Sequence, residues 1–119
     1  MSSYPYCDEN PCKNQEYGKI ESNILEIDFE KVIEYKISSS KQVTLINTSD
    51  TDKALLTKVS VFGDFEVNIK SFPSIFEPKQ KFIFEIRFTP ISIGVISGSL
   101  VIEQKDNDPI IINLAGEGI

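Results

Sequence analysis

The side chains that could do chemistry here are few, and one type is missing altogether: the chain has no His. That removes the one group that titrates unperturbed near neutrality, and with it most catalytic triads, metalloprotease motifs and zinc sites. The serines Ser38, Ser39 and Ser40 would need a base to become nucleophiles. Only carboxylates or Lys are left to serve, none in a recognisable motif, so the Ser-rich stretch reads as a solvated loop. The pairs Asp50/Asp52 and Asp106/Asp108 could supply oxygen ligands to calcium. They read better as turns, where Asp and Asn bond their own backbone. Cys7 and Cys12 stand as C-x4-C near the N-terminus and supply at most half a zinc site within one chain. Free surface thiols, a small-loop disulfide and a metal shared between chains all fit that spacing. No Gly-rich phosphate loop, CxxC pair or nucleotide fingerprint occurs. An enzyme is not expected, nor is a cofactor or a resident metal.

The composition points the same way. At 119 residues there is room for one domain and one core. The 40% hydrophobic and 25% charged fractions are those of a folded chain. A net charge of −6 repels phosphate backbones and anionic lipid, so neither nucleic acid nor membrane insertion is expected. No run approaches the roughly 20 apolar residues of a bilayer span, and no signal peptide is visible.

The elements that must carry any function are strands. Residues 1–23 are polar and without period, and read as an extended N-terminal arm. From Ile24 the pattern has period 2, as when alternate side chains face a core. In KFIFEIRF, Phe82, Phe84, Ile86 and Phe88 fall on one face and Lys81, Glu85 and Arg87 on the other. By the same rule the inward sets are Leu25, Ile27 and Phe29; Val43 and Leu45; Leu55, Val59 and Val61; Phe65, Val67 and Ile69; Leu100 and Ile102; and Ile110, Ile112 and Leu114. Breakers separate them at Asn47 to Asp52, Phe62 to Asp64, Pro73 to Pro78, Thr89 to Gly94 and Lys105 to Asp108. Seven short strands with regular turns predict an all-β protein, a seven-stranded antiparallel immunoglobulin-like β-sandwich over residues 24–119.

The order of short motifs from Leu25 to Gly118 resembles one family. LEIDF opens it, VTLINTS ends a strand in Asn and a small polar residue, and GDFEV gives Gly-x-Phe-x-Val. IFEP, FEIRFTP with a later Gly, GSLVIE and a terminal INLAGEG follow. Together they resemble the ASH domains, the immunoglobulin-like modules of abnormal-spindle and Hydin-type proteins, relatives of the major sperm protein domain and of bacterial choice-of-anchor D modules. The pattern departs at Glu30, where the family commonly has Gly after the first-strand Phe. The resemblance implies a non-catalytic scaffold module, for instance of cilia, centrosomes or the cytoskeleton.

Binding is what remains. Val101 and Ile111 should neighbour each other on the outside of the last hairpin, and Ile46 and Ile83 on the outside of the opposite sheet. In the arm, Tyr4, Tyr6 and Tyr17 are the apolar groups that could hold a partner. These seven are the candidate partner-binding residues, with the arm as a clasp on protein subunits of a larger assembly. A single such module beginning at its own Met fits an accessory or decoration protein of a bacteriophage virion, located in the virion or the cytoplasm. A ciliary, centrosomal or cytoskeletal scaffold is the alternative, and a calcium- or glycan-binding module at a cell surface a third. If the Asp-rich turns are only turns, millimolar calcium leaves the melting temperature unchanged, because a native-state ligand must raise it by mass action. A calcium-dependent rise lost in Asp106→Asn and Asp108→Asn would assign them a site instead.

Overall fold

β-branched and aromatic residues fit a pleated, half-buried surface, and the runs rich in Ile, Val, Phe and Thr are where the strands lie. The computed structural model describes residues 17–119, so the readings placed on Tyr4, Tyr6, Cys7 and Cys12 fall outside the described residues. Nine strands follow in order: β1 Ile20–Ser22, β2 Glu26–Val32, β3 Lys41–Asn47, β4 Ala54–Phe62, β5 Phe65–Val67, β6 Ile75–Phe76, β7 Lys81–Phe88, β8 Gly94–Gln104 and β9 Asn107–Gly118. They form a four-stranded sheet, β1-β3-β7-β5, and a five-stranded sheet, β2-β9-β8-β4-β6. The two inner faces make one core, an immunoglobulin-like sandwich.

Two of the nine strands lie where none was expected. β1 belongs to the stretch assigned to the arm, yet Ile20 is fully buried and β1 pairs antiparallel with β3. Gly18 already donates its N–H to the Lys53 carbonyl at 2.8 Å, so the sandwich begins before Ile24. β6 falls within the Pro73 to Pro78 link and pairs with the start of β4. Elements of two and three residues are too short to show a period. The pairing is also not wholly antiparallel: β2 runs parallel to β9. After β1 the chain crosses from one sheet to the other, where the Asn23 side-chain oxygen accepts the Thr44 N–H and the Ser22 hydroxyl donates to the Ile24 carbonyl. Leu25, read as inward, is spent on this crossing and is exposed.

The other inward faces hold, with one instructive exception. On β4 the buried residues are Ala54 and Leu56, not Leu55, while Val59 and Val61 do pack against the core. A register irregularity between Leu56 and Lys58 opposite β8 inserts one extra residue, and an extra residue switches which parity faces inward. Seven of the eight Phe cluster inside: Phe65 stacks on Phe88 with Phe29 tilted against both, and Phe72 meets Phe84, and Phe76 meets Phe82, edge to face in a second group. Gly116 lies flat beneath the Phe88 ring, and a Cβ there would overlap the ring atoms.

Two buried amides close the end where β3 and β8 finish. The Asn47 side chain donates to the carbonyls of Asp52, Phe76 and Glu77 and accepts the Ser49 N–H. Gln104 accepts the Ile20 N–H at 2.8 Å and donates to the carbonyls of Ile20 and Asp108.

Glu30, the departure from the family pattern, has φ 63° at the register shift between Asp28 and Lys31. The Asp28 carboxylate accepts its N–H at 2.8 Å. Glu30→Gly is expected to raise stability by about 0.5 to 1 kcal/mol in urea melts, since a left-handed L-residue costs about 1 to 2 kcal/mol and glycine's greater unfolded freedom returns part of it. A loss of stability would show that the Glu30 side chain holds the edge. Phe84, only 1% exposed, is expected to cost about 3 to 5 kcal/mol when changed to Ala, as deletion of a buried aromatic does; a cost below about 1 kcal/mol would refute the inward face of β7.

Candidate functional site

The outward residues singled out by alternation occupy two separate faces. Val101 and Ile111 are cross-strand partners on the outer face of the five-stranded sheet, Val101 half-buried and Ile111 exposed. On the outer face of the other sheet, Ile83 pairs with Thr44 and Ile46 with Lys81, so Ile46 and Ile83 are diagonal neighbours. The core lies between the two pairs, and the structure does not bring them together. Tyr17 is engaged by its own domain: its half-buried ring lies 6.0 Å from the Lys105 ammonium, and beside it the Gly18 carbonyl accepts from the Asn107 side chain.

The two ends of the sandwich differ sharply. The end where the chain enters is polar. Its turns are residues 48–53, 77–80 and 105–106, laced by side-chain bonds such as Ser49 Oγ accepting the N–H of Asp52. Asp106 has φ 64°, a conformation that Asp tolerates in turns, and Lys79 meets Asp50 at 3.4 Å on the surface. Among the described residues there is no group of three or more Cys, Asp or Glu placed to hold a metal ion.

The opposite end is apolar and open to solvent. It is assembled from three pieces of chain held by their backbones. Val32 accepts from Ile119 and Ile119 from Glu34, while Tyr35 donates to the Pro90 carbonyl at 2.7 Å. Gly94 stands opposite Gly118 where β8 begins and β9 ends. On this frame Ile33, Tyr35 and Ile37 project from the segment after β2. Ile91 and Ile93 project from the segment that leads into β8 and Val95 from its second position opposite Glu117, with Ile93 72% and Val95 83% exposed. Ile119 completes the surface. The Asp64 carboxylate fixes the second segment by accepting the Ile91 N–H, and its backbone carbonyl accepts from Thr89.

Tyr35 stands out within this end. It has φ 66° at the third position of a turn closed by the Lys36 N–H on the Ile33 carbonyl, a place usually given to Gly or Asn. Its side chain is 70% exposed, so the cost of that conformation is not offset by burial of the ring. Strain of this kind clusters at functional sites. Around the apolar groups sit charges of both signs, Lys31 and Lys36 with Glu34 and Glu117. The nearby Ser38 hydroxyl is committed to backbone, accepting from Phe88 and donating to Ser39, which fits the loop reading of the Ser-rich stretch.

Alternation of outward side chains along the strands does not reveal this end, although the sequence carries a signal for it. Ile33-x-Tyr35-x-Ile37 and Ile91-x-Ile93-x-Val95 are both period-2 triplets. The first follows the LEIDF strand in a stretch read as no strand, and most of the second lies in the Thr89 to Gly94 breaker, where alternation is not sought.

No family model and no curated protein sequence matches the chain. Solved structures do. The chain superposes on the ASH/PapD-like domain 7 of human CEP192 with TM-score 0.66 at 17% identity, over 92% of both chains. It superposes on the secreted serine protease VesC from Vibrio cholerae with TM-score 0.59 at 12% identity, over 76% of this chain and 21% of that one. For the periplasmic chaperone SfaE the TM-score is 0.51 at 10% identity, over 84% and 57%. The chain thus spans about a fifth of the protease and little more than half of the chaperone. At these identities the likeness is one of fold, and the fold is the ASH/PapD-like immunoglobulin sandwich.

Proposed function

We propose that this protein is a non-catalytic, protein-binding subunit of a larger assembly and that it docks through its apolar end. The observation that carries the reading is that end itself. Large apolar side chains are gathered on one side of a chain whose other end is polar, and one of them is a strained, exposed Tyr. Exposed apolar groups gathered at one place in this way are a mark of protein-interaction sites. Such a surface recognises another protein's apolar surface; it offers no converging set of nucleophile, base and oxyanion donors.

The arm enters at the polar end, beside Tyr17 and Lys105. A clasp made by the arm and a dock made by the apolar end would therefore engage neighbours on opposite sides, as in a bridging subunit. An accessory position on a bacteriophage virion is the assembly we favour. The fold shared with a module of CEP192 supports a scaffold of the cytoskeletal kind as the second reading. Co-sedimentation from the native cell decides: a virion-sized particle supports the first and a filament or organelle fraction the second. In either, Ile93→Asp and Val95→Asp should abolish incorporation while leaving the melting temperature of the isolated protein within a few degrees, as exposed positions do. Ile83→Asp, on the sheet face and 53% exposed, should incorporate normally. Incorporation of the end variants at full occupancy would refute the docking role.

A further inference from the structure

We infer that the groove between β1 and the first half of β9 is the seat of this chain's own N-terminal segment Tyr4-Pro5-Tyr6. The groove has a volume of about 450 Å³. It lies toward the polar end, away from the Gly94–Gly118 pair of the apolar one. The inference therefore goes beyond the docking role proposed above and does not depend on it.

The groove exists because one strand of the five-stranded sheet starts late. β9 pairs with β2 only from Asn113 onward, where Glu26 stands opposite it, so no described strand pairs with Asp108 to Ile112 on that side. β1 forms the opposite wall. The buried Gln104 amide, which bridges Ile20 and Asp108, closes the floor between them. Leu25 and Ile111, both exposed, line the groove together with Pro109.

The chemistry of that edge selects the occupant. The Asn113 N–H donates to the Leu25 carbonyl, and alternation along a strand turns the backbone groups of Ile111 and Pro109 to the same side. Proline has no N–H, so this stretch of β9 cannot carry a regular ladder. What it offers is carbonyl oxygens beside apolar side chains. Tyrosine answers both, with a ring for the side chains and an O–H donor for the carbonyls.

Two such residues are within reach. Sixteen residues precede Tyr17, the first residue described. The chain joins the domain beside the groove, since the Gly18 carbonyl accepts from the side chain of Asn107, next to Asp108. Tyr6 stands 11 positions before Tyr17, a reach of up to about 36 Å. The groove wall from Asn107 to Ile111 spans only about 13 Å. Tyr4-Pro5-Tyr6 holds the only aromatic residues of those sixteen. Proline biases itself and the residue before it toward extended backbone, which lowers the ordering cost of docking. Residues two apart on an extended chain face the same side, so both rings can enter one groove.

A segment tethered at this length is presented at an effective concentration on the order of millimolar, so its own domain is served before a second copy or a free peptide. The contact joins three residues that the sequence marks separately, Tyr4, Tyr6 and Ile111. A clasp that reaches a neighbour must first leave this seat.

The test is NMR of the full 119-residue chain, with chymotrypsin cleavage after Tyr6 as a second readout. Contacts between the rings of Tyr4 and Tyr6 and the methyl groups of Leu25 and Ile111 are expected, and they should stay within one chain when isotope-labelled and unlabelled protein are mixed. Tyr4→Ser/Tyr6→Ser should shift the methyl signals of Leu25 and Ile111 and leave those of Ile83 and Ile93 in place. Leu25→Asp and Ile111→Ser should each speed cleavage after Tyr6 at least about tenfold, since proteolysis follows the population of the open form. Absence of the ring contacts, with the same methyl signals in the Tyr4→Ser/Tyr6→Ser variant, overturns the inference. Contacts between chains in the mixed sample overturn it in favour of arm exchange. None of these outcomes touches the docking reading, which incorporation of Ile93→Asp decides.

Discussion

The carboxamide of Gln104 sets the course of the whole chain. Buried between the sheets, it serves as a strand partner to Ile20, taking its N–H and giving to its carbonyl, while a second donor proton holds Asp108. Any of these groups left unpaired in the core would cost about 1 to 3 kcal/mol. The amide thus ties β1, in one sheet, to the β8–β9 hairpin of the other. With β1 placed, the chain has only Asn23 to Leu25 in which to change sheets. It must then run alongside β9 in the same direction, which delivers Val32 next to Ile119 and builds the apolar end.

The two ends are finished by opposite means. At the polar end, Asn47 and Gln104 satisfy backbone groups that the sheets leave over, as buried polar atoms must be satisfied. At the other end, the backbones are paired with each other and the side chains are left over instead. The edges between the ends are guarded. β1, β5 and β6 have two or three residues each, and β2 carries Asp28 and Lys31 with the irregularity at Glu30. Short, charged or bulged edges resist adding a foreign strand, so lateral association is discouraged and an apolar contact at the tip is left open.

Much of this was legible in residues such as Phe82 to Phe88, where each side chain alternates over a strand long enough to show a period. The parity of β4 was not, because one added residue near Thr57 inverts the inward face within a single run of Leu and Val. β1 was hidden by its length and by its polar neighbours, and its partner, the Gln104 amide, is 84 residues away. Glu30 was visible as a departure from a family pattern, and its positive φ shows why Gly is the usual residue there. The apolar end escaped because Pro90 and Gly94 mark a link correctly. What no breaker indicates is that the link's side chains face water at the same end as those of residues 33–37, 58 positions earlier along the chain.

The parallel pairing of β2 and β9 has a mechanical consequence. β2 begins opposite Asn113, midway along β9, and the two strands run side by side to the far end, next to Ile119. Tension between the two termini therefore pulls β2 backward along β9, loading the bonds from Glu26–Asn113 to Val32–Gly118 side by side and in shear. Bonds loaded together fail together, and forced rupture is governed by that single barrier rather than by equilibrium stability. Load applied along the strands between Tyr17 and Ile119 therefore meets the sandwich in shear, not strand by strand.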